Sequence, residues 1–236
     1  MSEALIQVRG LAKYFGKFSA LRDLDLEVGR GEFVSLFGRN GAGKTTFLRI
    51  VAGLTRPSSG NVRIGEERPL GAMEARGAMG YLSHNTSLYA DLTALENLRF
   101  YAQLHGLPST DGVLAERIGR VGLAGRGREP VRNYSRGMQQ RLAIARAFLH
   151  DPDVLLLDEP FTGLDQTGTE FLIRYLSDAR ARGKTCLMAI HDASVGYELA
   201  DRLVVIDKGV VALDLRKSET SLGAFQDRYR AMAEER

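Results

Sequence analysis

The strongest constraint on the fold is a glycine-rich stretch between an apolar run and a helical pattern. "GRNGAGKTT" follows "FVSLF" directly, and "TTFLRIVAGL" then places its apolar residues on one helical face. Glycines let backbone N–H groups turn toward a phosphate, and a helix N-terminus adds the positive end of its dipole. The spacing matches a phosphate loop and predicts a nucleotide site rather than a merely glycine-rich turn. Its residues are Gly38, Arg39, Asn40, Gly41, Ala42, Gly43, Lys44, Thr45 and Thr46.

Four apolar runs predict strands of a sheet that is covered on both faces, as in parallel sheets with helices on either side. Nearer the N-terminus, residues 24–28 and 62–64 alternate between apolar and polar side chains, which predicts antiparallel strands with one wet face. The four apolar runs are "FVSLF", "VLLLD", "CLMAI" and "LVVI", at residues 33–37, 154–158, 186–190 and 203–206.

The organisation of the chain favours one domain over residues 1–236. Residues 1–85 and 150–217 are expected to form an α/β core that includes the antiparallel part. The strand pattern disappears between residues 86 and 149, which predicts an inserted helical subdomain. Residues 218–236 are expected to form a polar, amphipathic terminal helix that acts as a solvated cap.

Charge and cysteine content exclude several function classes. The chain has 32 basic and 29 acidic side chains, a formal net charge of +3, and no block of like charges, so nucleic-acid binding is not favoured. The single cysteine, Cys186, cannot form an internal disulfide, which suits a reducing compartment. We see no signal peptide and no apolar run near the roughly 20 residues that cross a bilayer.

Two acids and a histidine lie at the ends of two of the predicted strands. Asp158 ends "VLLLD", where it can join Thr45 in holding Mg²⁺ near the phosphates. Glu159 follows and can polarise a water, while His191 comes after "CLMAI" and can reach the terminal phosphate. Two solvated acids and a structural histidine are the alternative interpretation.

The stretch "YSRGMQQRLAIARAFLHDPDVLLLDEPFTGLD", residues 134–165, resembles the signature motif, Walker B strand and D-loop of ATP-binding cassette (ABC) ATPases. The resemblance covers most of the chain, with the motifs in the family's order. It implies an ATP-hydrolysing subunit of an ABC transporter that uses ATP and Mg²⁺.

The resemblance also implies that two copies pack head to tail around ATP. Asp165 would lie at the interface, and the signature of one copy would close on the nucleotide of the other. Ser135 and Gly137 keep the family pattern, whereas Tyr134 replaces the usual Leu. The signature residues are Ser135, Arg136, Gly137 and Met138, in which Arg136 and Met138 replace the usual Gly and Gln. Ser135 acting only as a helix N-cap is the simpler alternative.

Two further site residues follow from alignment on the family. Phe15 takes the position of the aromatic residue that stacks on adenine, with core packing as the alternative. His84 takes the position of a Gln that reaches Mg²⁺ and the attacking water. A structural hinge is the alternative role for His84.

As in the family, the partners would be separate membrane-spanning subunits. They are expected to contact the segment between Thr86 and Phe100, whose apolar side chains could form a docking patch at the cytoplasmic face of the membrane. The side chains of that patch are Leu88, Tyr89, Leu92 and Leu95.

The sequence also indicates a class of transported substrate and leaves two alternative functions. The pattern around His84 resembles the ATPase of the haem exporter used in cytochrome c maturation, while exporters of drugs, lipids or polysaccharides share parts of it. The rivals are a soluble ABC-type ATPase acting on DNA or ribosomes and a non-hydrolysing assembly module. The first usually has a long coiled coil or two cassettes, and the second would be expected to lack Glu159 or His191.

Overall fold

Two β-sheets, one antiparallel and one mostly parallel, hold the helices of this protein in place. The computed structural model describes residues 4–65, 68–69, 77–83 and 85–234. The strands are β1 (Ala4–Phe15), β2 (Phe18–Gly29), β3 (Phe33–Phe37), β4 (Ser59–Ile64), β5 (Arg68–Pro69), β6 (Met79–Leu82), β7 (Val154–Asp158), β8 (Thr185–Ala189), β9 (Arg202–Asp207) and β10 (Val210–Arg216).

The helices are placed between the sheets and on the outer face of the parallel one. Two short 3₁₀ helices in the described residues span Val131–Asn133 and Lys217–Glu219. The α-helices are α1 (Lys44–Val51), α2 (Ala94–Leu104), α3 (Asp111–Arg120), α4 (Arg136–Ala147), α5 (Gln166–Ala181), α6 (Ala193–Leu199) and α7 (Leu222–Glu234).

The sheet orders separate the two parts of the core. In the described residues the antiparallel sheet has the order β2-β1-β4-β5, and the larger sheet has the order β10-β9-β3-β8-β7-β6. All neighbours in the larger sheet are parallel except β10, which runs antiparallel to β9. This confirms the predicted α/β core with an antiparallel β part and inserted helices.

The central strands are buried on both faces, as their continuous apolar sequences predict. In β7, Leu155 and Leu157 belong to a core shared with the outer helices, while Val154 and Leu156 pack toward α1 and the antiparallel sheet. β2 behaves differently, because its alternate residues are exposed. The continuous apolar pattern of β7 reflects burial on both faces of its sheet, and the alternating pattern of β2 reflects burial on one face.

The helical subdomain rests on the outer edge of β6. Arg146 of α4 donates from Nη2 to the Tyr81 carbonyl at 3.1 Å, and His150 Nε2 lies 3.1 Å from the Met79 carbonyl. Burial and the neighbouring His105 ring, which is stacked at 4.0 Å, lower the pKa of His150 to about 4. A neutral imidazole and a guanidinium therefore satisfy backbone groups that would otherwise be left at an open sheet edge.

The C-terminal helix differs from the solvated cap that the sequence predicts. Phe225 is fully buried, and its ring centroid lies 4.8 Å from that of Phe37 at the end of β3. One face of α7 is therefore part of the core. The remaining helix is polar, which is why its sequence alone indicated solvation.

We expect Gly196→Ala to lower the free energy of unfolding by about 1–3 kcal/mol, because small-to-large changes overpack a dense core. A Cβ at this position of α6 would lie 2.6 Å from Phe37 Cζ and 2.7 Å from Ile190 Cγ2. Urea unfolding should show this as a lower midpoint, while the slope of the unfolding free energy against urea concentration stays the same. Gly112→Ala in α3 is the matched control: its Cβ would meet open space, and the helix should gain up to about 1 kcal/mol. Equal midpoints for Gly196→Ala and the parent would contradict this packing.

Candidate functional site

The phosphate loop, residues 38–46, joins β3 to the first turn of α1. Gly38, Gly41 and Gly43 have φ values of 146°, 80° and 111°, which side chains disfavour. A Cβ on Gly38 would lie 2.2 Å from the Ile206 carbonyl oxygen, so only glycine fits there. The loop therefore bends tightly enough to direct backbone N–H groups inward at the start of α1.

Lys44 folds back onto this loop. Its Nζ donates to the carbonyl of Gly38 at 2.6 Å and to that of Arg39 at 3.2 Å. Burial lowers the pKa of Lys44, and the carboxylates of Glu159 and Asp158 oppose that change. The ammonium thus lies beside the loop, where it can exchange carbonyl oxygens for phosphate oxygens.

Thr45 links the loop to the end of β7. Its Oγ1 donates to Asp158 Oδ1 at 3.0 Å, and Asp158 is only 1% exposed. A hydroxyl and a carboxylate held together in this way are hard oxygen donors of the kind that Mg²⁺ prefers.

Glu159 and His191 meet at the ends of β7 and β8. Glu159 Oε1 and His191 Nε2 are 2.6 Å apart. Glu159 has a φ of 53°, an uncommon left-handed conformation, and its N–H donates to the Ala189 carbonyl at 3.0 Å. The backbone at the end of β7 is therefore turned so that this carboxylate faces the histidine.

Glu159 lies between two cavities. One, of about 190 Å³, is lined by the phosphate loop together with Phe18, Ala20 and Glu159. The other, of about 260 Å³, is lined by residues from the ends of β7 and β8 and the segments after them, and these include Glu159 and His191. The Glu159 carboxylate, which lines both cavities, can contact a ligand held by the phosphate loop on one side and His191 on the other.

The signature residues lie at the start of α4 and line neither of these cavities. Ser135 caps the helix, its Oγ accepting from the Met138 N–H at 3.2 Å. The Arg136 side chain passes over Gly163, and Gly137 approaches the Gly163 carbonyl. The structure thus brings Ser135, Arg136, Gly137 and Met138 beside the segment that follows Glu159, and not against the phosphate loop of the same chain.

Asp165 has contacts within its own chain. Its Oδ1 accepts from the Gly168 N–H at 2.8 Å and caps α5, while Oδ2 lies 3.7 Å from Arg141 Nη2 of α4. These contacts fix the turn after Glu159 against the signature helix.

The aromatic residues near the loop include one that the sequence interpretation missed. Phe15 and Phe18 face each other across the turn between β1 and β2 and are 53% and 60% exposed. Phe18 lines the loop cavity, whereas Lys13 Nζ lies 4.9 Å from the centre of the Phe15 ring. The repeated aromatic in "FGKF" was the available signal for Phe18.

Two other predicted features have different outcomes. His84 lies outside the described residues. In the predicted docking patch Leu95 is buried at 8% exposure, so its inclusion was wrong: it packs inside the helical subdomain. The exposed apolar side chains of this region are Tyr89, Phe100 and Leu104.

Comparison with known proteins identifies the family. The family model described as ABC transporter matches residues 21–162. The uncharacterized ABC transporter ATP-binding protein YdbJ of Bacillus subtilis is 37% identical over 99% of this chain and 75% of its own length. A fluoroquinolones export ATP-binding protein of Mycobacterium tuberculosis is 36% identical over 98% of this chain and 77% of its own length.

A solved structure agrees with this assignment. The ATP-binding cassette MJ0796, in a dimeric post-hydrolysis state bound to ADP and Pi, superposes with a TM-score of 0.80 and 26% identity. The match covers 90% of this chain and 98% of that one. The phosphate loop, the acid pair and the fold agree with these similarities, and the chain belongs to the ABC transporter family as an ATP-binding, ATP-hydrolysing subunit.

Proposed function

We propose that this subunit energises export across a membrane by hydrolysing ATP at the phosphate loop and moving separate membrane-spanning subunits. The observation that carries the proposal is the cluster of Lys44, Thr45, Asp158, Glu159 and His191 at one sheet edge. A relative named for export supports the direction of transport. Among the described residues, every helix is too short or too polar to span a bilayer. The likeness to ABC transporter ATP-binding subunits supports an export path supplied by separate partners, with this subunit peripheral at the cytoplasmic face.

ATP would be held by its phosphates. The N–H groups of residues 38–46 would surround them, and Lys44 would move from the Gly38 and Arg39 carbonyls to the terminal phosphate. Adenine would stack on Phe15 or Phe18, both exposed beside the loop.

Mg²⁺ fits the oxygen donors at the end of β7. Thr45 Oγ1 and Asp158 Oδ1, which are 3.0 Å apart, would hold it directly or through water. His84 would be a further contact, in the role that the family assigns to Gln. When bound, the ion would neutralise phosphate charge during hydrolysis.

Glu159 and His191 would have separate roles in ATP hydrolysis. Glu159 would accept a proton from a water whose oxygen attacks the terminal phosphorus, while the bond to the bridging oxygen breaks and ADP leaves. His191, now bonded to Glu159 at 2.6 Å, would turn toward the departing phosphate. This pairing of an acid with a histidine favours a hydrolase over a non-hydrolysing module.

A second copy would complete the site. Ser135, Arg136, Gly137 and Met138 line neither cavity beside the phosphate loop of their own chain. The N-terminus of α4, with its positive dipole end, would instead face a nucleotide on a partner. Asp165 would lie beside them at the interface. The dimeric cassette with ADP and Pi supports this arrangement.

The membrane subunits would contact the apolar patch, defined as Tyr89, Phe100 and Leu104. Tyr89 and Phe100 are 49% and 39% exposed, and their rings meet edge to face at 5.3 Å. The buried Asn97 side chain holds both backbone groups of Tyr89, accepting from its N–H at 2.8 Å and donating to its carbonyl at 3.0 Å. A rigid exposed aromatic pair of this kind is typical of protein interfaces.

The transported compound would be chosen by the membrane subunits. Haem for cytochrome c maturation is the narrower proposal that follows from the sequence resemblance. The relative named for fluoroquinolones export supports a drug-like compound as the alternative. Lipids and polysaccharides remain further alternatives within the exporters.

Glu159→Gln should lower the ATP hydrolysis rate by about 100-fold or more, because the amide has the same shape but cannot accept the proton. ATP binding should persist, and a dimer should accumulate with ATP in size-exclusion chromatography. Glu170→Gln on the exposed face of α5 is the matched control and should hydrolyse like the parent. A Glu159→Gln variant that turns over ATP at the parental rate would exclude Glu159 as the base.

Phe100→Asp should reduce co-purification with the membrane subunits by roughly tenfold, since a charge replaces an interface aromatic. ATP hydrolysis by the isolated subunit should remain, which separates docking from catalysis. Leu54→Asp is the control, because Leu54 is a similarly exposed apolar residue after α1. Equal recovery of membrane subunits with both variants would place the docking surface elsewhere.

A further inference from the structure

The C-terminal helix lies against the base of the phosphate loop through an aromatic cluster. Phe37, the residue before Gly38, is fully buried. The ring centroids of Phe225 and Tyr229 lie 4.8 Å and 6.0 Å from that of Phe37. These two rings are parallel to each other, with centroids 6.0 Å apart. A helix far along the chain thus packs on the strand residue from which the loop begins.

Tyr229 extends from this cluster to the loop itself. Together with Met232 it lines a small cavity that Gly38 and Arg39 also line. Burial raises the pKa of Tyr229, while hydrogen bonding by the Gly38 backbone and the Arg39 charge oppose the rise. The phenol therefore faces the first two residues of the loop.

Phe37 is confined on its other side as well. Gly196 of α6 approaches so closely that a Cβ there would lie 2.6 Å from Phe37 Cζ. The Ser35 hydroxyl donates to the Gly196 carbonyl at 2.9 Å and holds α6 against β3. Phe37 is therefore held between Gly196 of α6 and the rings of Phe225 and Tyr229 of α7.

The loop needs such external support because its own sequence supplies little. Three of its residues are glycines at positive φ, and glycine restricts the backbone least. The Lys44 bonds to the Gly38 and Arg39 carbonyls would be given up when Lys44 binds phosphate. On the far side, the Gly209 N–H donates to the Ala42 carbonyl at 3.1 Å. At the near end of the loop, α6 and α7 both pack on Phe37, and α7 also lies beside Gly38 and Arg39.

We propose that Tyr229, supported by Phe225, is a positioning residue for the ATP site: it fixes Phe37 and Gly38 so that the loop N–H groups converge before the nucleotide arrives. The proposal rests on ATP binding at residues 38–46. A loop that is ordered beforehand loses less conformational freedom on binding, so the contact strengthens ATP affinity without touching ATP. It makes the C-terminal helix part of the nucleotide site.

The test is the affinity of the full chain for MgATP. Tyr229→Ala should weaken it by about tenfold, as expected for loss of an aromatic contact. Tyr229→Phe, which keeps the ring, should stay within about twofold of the parent. The Michaelis constant should rise with little change in kcat at saturating ATP, and amide hydrogen exchange across residues 38–46 should quicken without nucleotide. Tyr229→Leu, which retains apolar volume, replaces Tyr229→Ala if the latter does not fold.

The control is Tyr175→Ala. Tyr175 is also half-buried and stacked on a buried phenylalanine, Phe148, at 4.2 Å, but it belongs to α5 and lines none of the three cavities at the loop and beside His191. Tyr175→Ala should lower stability while leaving MgATP affinity unchanged. If Tyr229→Ala behaves in the same way, its role is structural and the proposal is overturned.

Lys44→Ala separates this proposal from the function on which it rests. It should abolish MgATP binding, because the lysine that reaches the phosphates is removed. Retained binding by Lys44→Ala would overturn the loop as the ATP site. Loss with Lys44→Ala and no effect of Tyr229→Ala would overturn only the role of the C-terminal helix.

Discussion

The parallel pairing of β3, β8 and β7 is the constraint on which the site depends. Leu36 pairs with Ala189, and Ala189 pairs with Asp158, so three strands reach the same level of the sheet. At one edge of the sheet these strands are followed by the phosphate loop, His191 and Glu159. Ligands in open α/β sheets bind at this carboxyl edge, because helix N-termini and loop N–H groups converge there. A shift in register would separate Glu159, His191 and the loop.

The same sheet also carries the part that would transmit movement. β6 pairs with β7 at Leu82 and Leu157, one residue before Asp158, so the segment after β6 starts beside Asp158. Arg146 and His150 anchor α4 to the β6 backbone, and the Arg146 guanidinium lies 5.1 Å from the centre of the Tyr101 ring of α2. Asn97 then fixes Tyr89 to α2. A continuous series of packed contacts thus connects the sheet edge that carries Asp158 and Glu159 with the apolar patch.

Several details were beyond sequence interpretation, for reasons visible in particular residues. The apolar run at residues 186–190 predicted a strand that in the structure begins one residue earlier, at Thr185. Thr185 can be buried because its Oγ1 accepts from the Gly31 N–H at 2.8 Å, a partner 154 residues away. Leu95 looked suited to docking, but it faces the interior of the helical subdomain, since helical periodicity gives a face without saying what covers it.

The sequence by itself determined the phosphate loop, the buried and half-exposed strands, the inserted helices and the order of the family motifs. These features depend on local rules: glycine permits the turn, apolar periodicity sets the element, and spacing along the chain preserves the motif. Only the tertiary structure decided that His191 is hydrogen-bonded to Glu159, that Phe18 lines the loop cavity and that Tyr229 faces Gly38. Each of these contacts joins residues brought together by strand register or by helix docking, and such packing depends on the whole core rather than on any one segment.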